Sequence, residues 1–312
     1  ILREIEWSPS RTGLINPIAV FDPVELEGTT VSRASVHNVS IVKELQLGIG
    51  DTIQVYKANM IIPQIAENLT KSGKLEIPHI CPVCGQEARI IQENEVESLY
   101  CMNPDCVAKK IKAFTLFVSR DAMNIDGLSE ATLEKFIAKG FIHDFGDIFE
   151  IAKYRDEIVE MDGFGEKSFD NLMVSIEKAK ETVPAKVLYS LGIANIGLSN
   201  AKVICRHFED DLAQIRNAKE EEVGAIDGIG PVIARSLTKY FEDPDNNRRL
   251  DHLLRYLHIN KEEISKNQTL AGMNFVITGS LEHFSTRGEA KNLIESLGGK
   301  VTGSVTGTTN YL

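Results

Sequence analysis

Met161-Asp162-Gly163-Phe164-Gly165 and Ile226-Asp227-Gly228-Ile229-Gly230 are two versions of one short turn. Asn124-Ile125-Asp126-Gly127-Leu128-Ser129 and Asn195-Ile196-Gly197-Leu198-Ser199 complete a set of four between Asp121 and Lys239. Aligned on the last small residue of each, Ser129, Gly165, Gly197 and Gly230, the copies lie 36, 32 and 33 residues apart. A near-constant period means a stack of equivalent supersecondary units. Each turn runs into a stretch with helical apolar spacing, such as Ala131, Leu133, Phe136 and Ile137. The apolar residue inside the turn pins it to a core, while the glycines are expected at positive φ. The amides that open the next helix then lack partners and have the positive end of the helix dipole behind them.

A single Gly-x-Gly is as well explained by a tight helix–helix connection. Four at one period favour a repeated anion such as a nucleic-acid backbone. The candidate seats are Gly127, Gly163, Gly165, Gly197, Gly228 and Gly230, with Lys167 and Ser168 as assisting side chains. Lys202 and Arg235 sit at comparable places and are equally well read as surface charges. The pattern resembles the tandem helix-hairpin-helix module, which implies sequence-independent contact with duplex DNA across the minor groove. The first copy departs from it, with Ser129 in place of the second glycine, and copies two and four match best.

At 312 residues the chain has room for about two domains, or more if they are small. No apolar run approaches the roughly 18 residues of a membrane span, so no membrane partner is expected. Both ends, Ile1 and Asn310-Tyr311-Leu312, fall in strand-like runs, and the chain reads as an internal fragment. The net charge of −11 is concentrated in residues 113–265, with 19 basic against 28 acidic residues, which counts against nonspecific binding by a basic face. Contact through turn amides and a few flanking bases remains, with modest and salt-sensitive affinity.

Residues 1 to about 70 alternate as short strands around one helical run, Ile41 to Leu47, which fits a small barrel of the OB type. The strands read as Ile15 to Phe21, Val24 to Leu26 and Thr29 to Ser35, with Gly13, Pro17, Pro23 and Gly28 as punctuation. Cys81-Pro82-Val83-Cys84 is followed by sixteen residues, Cys101, four more and Cys106. Two close thiol pairs suit a tetrahedral zinc site with no open position, structural rather than catalytic. Two disulfides, or buried thiols, are the alternatives. Cys205 reads as a small buried residue. Val107 to Val118 has helical spacing, Glu262 to Thr269 reads as a linker, and a strand from Leu270 leads to Thr278-Gly279, a helix from Thr286 to Leu297 and a second strand.

Arg11-Thr12-Gly13, Ser35-Val36-His37-Asn38 and Lys57-Ala58-Asn59-Met60-Ile61-Ile62-Pro63 resemble the OB domain of bacterial NAD-dependent DNA ligases. The four-cysteine finger and Phe117 to Gly127 resemble the same family, and residues from Leu270 resemble the first half of a BRCT domain. The resemblance implies that Arg11, Thr12 and Lys57, with apolar Ile61 and Ile62, follow the DNA backbone and minor groove; a solvated strand lysine remains the alternative for Lys57. Where that family commonly has Gly-Asp, this chain has Asn59-Met60, which leaves the turn before Ile61 and Ile62 to be settled.

The expected fold is multidomain: an all-β OB barrel over 1–72, a small zinc finger over 77–112, an all-α tandem helix-hairpin-helix domain over 113–262 and a partial α/β BRCT domain over 268–312. The resemblance further implies a monomeric bacterial enzyme of the cytoplasm and nucleoid that seals nicked double-stranded DNA with NAD and magnesium. Its nucleophile is a lysine in Lys-x-Asp-Gly. Here the three Asp-Gly pairs, at Asp126, Asp162 and Asp227, follow Asn124, Glu160 and Ala225, so catalytic residues are expected in an upstream adenylation domain. The rival readings are a non-enzymatic DNA-binding module and a BRCT scaffold.

Overall fold

Alternating apolar residues build the first strands. The structure, a computed structural model, describes residues 1–260, 269–279, 281, 283, 284 and 287–312. β1 (Leu2–Pro9) pairs antiparallel with β2 (Leu14–Leu26), from Leu2↔Phe21 to Pro9↔Ile15. Ile15, Ala19 and Phe21 therefore share one buried face. β3 (Thr29–Ser35) leads to the short helix α1 (Val39–Glu44), whose first turn is capped by Asn38 Oδ1 accepting the Ile41 amide at 3.0 Å. The hairpin β4 (Ile53–Ala58) and β5 (Ile62–Asn68) completes the barrel, in the order β1-β2-β3-β5-β4 with β3 and β5 parallel. Backbone bonds of 2.8 Å from Leu2 to Asp51 and from Gly50 to Leu2 bring β1 back to the chain entering β4.

One expectation changes. Pro23 does not break β2, because a register shift between Val20 and Val24 accommodates it within one long strand. The finger is joined to the barrel. Its hairpin, β6 (Ala88–Glu93) and β7 (Val96–Cys101), extends the barrel sheet through Leu14↔Tyr100 and Ile15↔Leu99. Ile15, Val39 and Leu99 share a small core with the buried cysteines.

The helical region begins with α2 (Val107–Val118), α3 (Glu130–Ala138), a 3-10 helix over Phe145–Tyr154, α4 (Arg155–Val159) and α5 (Glu166–Ala179). The two-residue β8 (Glu181–Thr182) precedes α6 (Pro184–Ser190), α7 (Leu198–His207), α8 (Leu212–Asn217), α9 (Glu220–Gly224), α10 (Pro231–Glu242) and α11 (Pro244–Leu254). β9 (His258–Ile259) returns to pair with β8. One apolar core runs from Phe114 to Leu257. Phe117 stacks on Phe145 with centroids 4.4 Å apart, so the helix after the finger is seated on the repeats, as its sequence implies. Cys205 is buried in α7.

Residues 1–259 form one compact unit and 260–312 a second. In the second, β10 (Asn274–Val276) and β11 (Lys300–Thr302) are parallel and joined through α12 (Arg287–Ser296), the expected start of an α/β module. Thr286 and residues 262–268 of the expected linker lie outside the described residues, as do the expected domain limits at 262 and 268. No helix among the described residues is long and apolar enough to cross a membrane.

Candidate metal centre and nucleic-acid interface

Four sulfurs converge where the finger meets the barrel. The Sγ atoms of Cys81, Cys84, Cys101 and Cys106 all lie within 4.8 Å of one another. Cys81 and Cys106 are 4.0 Å apart and Cys84 and Cys101 3.6 Å. Tetrahedral zinc with bonds of about 2.3 Å sets its sulfurs about 3.8 Å apart, whereas a disulfide needs about 2.05 Å. The donor set fits zinc, and the thiols are free.

Local structure explains the convergence. The first pair sits on a tight turn in which the Gly85 amide donates to the Cys81 carbonyl at 2.9 Å, with Gly85 at φ +67. Cys101 ends β7, and Cys106 is the N-cap of α2, where amides and the helix dipole favour a thiolate. Burial pushes the Cys101 thiol up to about 12. For Cys84 burial acts the same way, but hydrogen bonds led by the Gln86 amide overcome it and bring the thiol down to about 6. Bound zinc would hold all four as thiolates and fasten the two turns together.

The four turns share one backbone signature. The first small residue is left-handed in each: Gly127 at φ +92, Gly163 at +83, Asn195 at +63 and Gly228 at +82. Asparagine tolerates that region, so Asn195 replaces glycine in the third copy. The last small residues are not at positive φ, contrary to expectation. Gly165, Gly197 and Gly230 are extended helix N-caps at φ −163, −83 and −86. The copies also form pairs. The Asp126 amide donates to Ser175 Oγ on α5 at 2.8 Å, and Asn195 Nδ2 donates to Ser236 Oγ on α10 at 3.1 Å. Copy one is thereby tied to the helix of copy two, and copy three to that of copy four.

The turns differ in what they offer a ligand. In copy one Ser129 Oγ accepts the Thr132 amide at 3.2 Å, and a Cβ on Gly127 would stand 3.7 Å from Leu172. That turn is capped and packed. At Gly163, Gly165, Gly197, Gly228 and Gly230 a Cβ would meet nothing within 4 Å, and no side chain caps the following helix. These three turns face outward. Copy four gives up one amide to Pro231 and another, Ile233, to the Gly230 carbonyl at 3.1 Å. Copy two carries Glu166 in its first turn, paired with Arg155. Copy three has neither proline nor acid there, so it is the least encumbered, a distinction the motif alone does not show.

Lys167 and Ser168 are exposed beside the second turn. Arg235 pairs with Glu220 at 3.3 Å, and Lys202 is half-buried with its own interaction. On the barrel, Thr12 is exposed and shares a hydrogen bond with Ser10 at 3.1 Å. Lys57 Nζ donates to Thr29 Oγ1, and Arg11 is turned toward the repeats, where its Nε donates to the Gly192 carbonyl at 3.2 Å. The β4–β5 turn keeps a hairpin geometry without glycine: Asn59 and Met60 lie at φ +52 and +61, and the Ile61 amide donates to Ala58 at 3.1 Å. It projects Met60, Ile61 and Ile62, which are 76%, 76% and 51% exposed.

Residues 1–76 match the family model of the NAD-dependent DNA ligase OB-fold domain. Residues 186–250, which hold turns three and four, match the helix-hairpin-helix motif, and 265–312 match the BRCA1 C Terminus (BRCT) domain. Over all 312 residues the chain is 60% identical to a DNA ligase of Lachnoclostridium phytofermentans and 58% identical to one of Ruminiclostridium cellulolyticum. It covers 48% of each, and so spans about half the length of the curated relatives it matches.

Proposed function

We infer that this chain, which belongs to the DNA ligase family, is the DNA-gripping C-terminal part of an NAD-dependent ligase. The observation that carries the reading is the set of three outward-facing, uncapped turns at Gly163–Gly165, Asn195–Gly197 and Gly228–Gly230. Backbone amides at helix N-termini bind phosphate oxygens without reading bases. That suits an enzyme that must act at any sequence, and it tolerates an acidic surface between the turns. The exposed Met60-Ile61-Ile62 tip adds an apolar contact of the kind that lies in a minor groove. Thr12, Lys57, Lys167 and Ser168 flank these contacts, whereas Arg11 acts first as a tie between barrel and repeats. The cysteine site holds structural zinc.

In this reading the nick is sealed by residues elsewhere in the protein. A lysine there would take AMP from NAD, releasing nicotinamide mononucleotide; magnesium would assist passage of that AMP to the 5′-phosphate and its displacement by the 3′-hydroxyl. The chain described here keeps a nicked duplex in place, as part of a monomer in the bacterial cytoplasm.

Binding of fluorescent duplexes, nicked and intact, in rising salt tests the assignment. Preference for the nicked duplex, with affinity falling steeply as salt rises, is expected. Equal, weak binding to both would reduce the chain to a plain DNA-binding module. A covalent adenylate formed by this chain with labelled NAD would overturn the division of labour.

A further inference from the structure

We propose that the cleft between α2 and α11 seats a phosphate oxyanion between the Lys110 ammonium and the Arg249 guanidinium. This cleft, of about 650 Å³, lies apart from the three open turns, and the inference does not rest on the DNA reading. Lys110 and Arg249 both line it, and among the described residues neither side chain has a hydrogen bond or ion pair. Burial, and after it the charge of Arg249, holds the Lys110 ammonium below its ordinary value, while Asp147, Asp144 and Asp105 act on it in the opposite sense.

Asp105, Asp144, Asp243 and Asp245 line the cleft as well, and among the described residues all but Asp105 have partners of their own. Asp144 is held by His252 at 2.7 Å and by the Gly146 amide, and Asp147 accepts the His143 and Asp144 amides. Asp243 caps α11, and Asp245 pairs with Arg248 at 3.0 Å; Asp105 stands exposed at the rim. Two more cations on the same walls are tethered to carbonyls: Arg11 to Gly192, and Lys109 to Cys101 at 2.8 Å. Their charge contributes to the cleft while their positions are fixed. A planar guanidinium fork together with a compact ammonium matches the several oxygens of a phosphate better than a single spherical halide ion.

Inorganic phosphate titrated calorimetrically into the zinc-loaded chain, at constant ionic strength with chloride as the balancing anion, tests this. Saturable binding is expected, weakened at least tenfold by Lys110→Met or Arg249→Gln and unaffected by Lys71→Met at an exposed lysine just past β5. In the parent protein, the Arg249 Nε–H resonance should shift on adding phosphate, a readout independent of how the variants fold. No binding by the parent, binding that survives both substitutions, or an unmoved resonance overturns the proposal. A nicked duplex then identifies the source. If it moves the same resonance, the phosphate belongs to a strand; if only inorganic phosphate does, the seat takes a free anion.

Discussion

The Nε of Arg11, in the first turn of the barrel, donates to the carbonyl of Gly192, between α6 and α7, at 3.2 Å. Gly192 is at φ +69, and a Cβ there would come within 3.1 Å of Arg11 Nε and 3.2 Å of Leu116. Two constraints therefore meet at one glycine: a left-handed backbone and a close approach. Gly192→Ala is expected to destabilise residues 1–259 by about 1–2 kcal/mol, since the strained backbone and the displaced arginine both count. Arg11→Ala should leave each core intact but loosen the barrel against the repeats. Urea unfolding measures the first effect. Hydrogen exchange at residues 191–193 measures the second, and unchanged protection there would mean that the bond holds nothing.

Removing the metal should act locally and then spread along the sheet. Bound zinc would take the four cysteines as thiolates and close the finger, and β7 is joined to β2 through Leu14 and Ile15. Chelation, or Cys101→Ser, is therefore expected to abolish exchange protection from Cys81 to Cys106 and to weaken it at the β2–β7 pairing. The helical core of the repeats should keep its protection. Because burial raises the Cys101 and Cys106 thiols, zinc affinity should fall as pH falls, with protons released on loading. Zinc binding independent of pH would contradict the four-thiolate site.

Acid should find its target in the barrel at a buried pair. Asn68 Nδ2 donates to Asp51 Oδ2 at 2.7 Å, and to the Leu45 and Gln46 carbonyls at 3.0 Å each. Burial alone would raise the Asp51 carboxyl, but hydrogen bonds from Ser72 and Asn68 outweigh it and hold the carboxyl below its ordinary value. A depressed carboxyl stabilises the fold at pH above its unfolded value, and that contribution disappears as pH falls through the folded value. Asp51→Asn should thus be less stable than the parent near neutrality, with the difference closing below about pH 4. Asn68→Ala, which strands a buried carboxylate, should cost about 2–3 kcal/mol. Parallel stability curves for Asp51→Asn and the parent between neutral and acid pH would refute this account.

Much of this was legible in the chain because it is written in local spacing. The period of the turns, the two cysteine pairs and the alternation from Ile15 to Phe21 each depend on neighbours close in sequence. What was not legible depends on approach between distant segments. Nothing around Pro23 announces that a register shift will carry β2 past it. Nothing in Arg11-Thr12-Gly13 says that Arg11 will be taken up by Gly192, 181 residues away. The cation pair of the cleft comes from α2 and α11, which only the tertiary fold brings together. Asn195 was within reach, since asparagine before an apolar residue and a glycine is a known substitute for a left-handed glycine.

The sharpest test compares the turns with one another, because copy one already contains the blocking device. Ser129 Oγ occupies the Thr132 amide, whereas Gly165 and Gly197 leave the equivalent amides of α5 and α7 without a side-chain cap. Serine is the better N-cap, so Gly165→Ser and Gly197→Ser should leave stability unchanged or raise it by about 0.3 kcal/mol. The same hydroxyl competes with a phosphate for those amides. DNA affinity should therefore fall severalfold for each substitution, most at Gly197, where neither a proline nor an acid already limits the seat. Ser129→Gly should cost a few tenths of a kcal/mol of stability and gain little affinity, because Gly127 remains packed on Leu172. Thermal unfolding and duplex titration on the same samples separate the two effects. If Gly197→Ser binds DNA as tightly as the parent, the open amides are not what holds the strand.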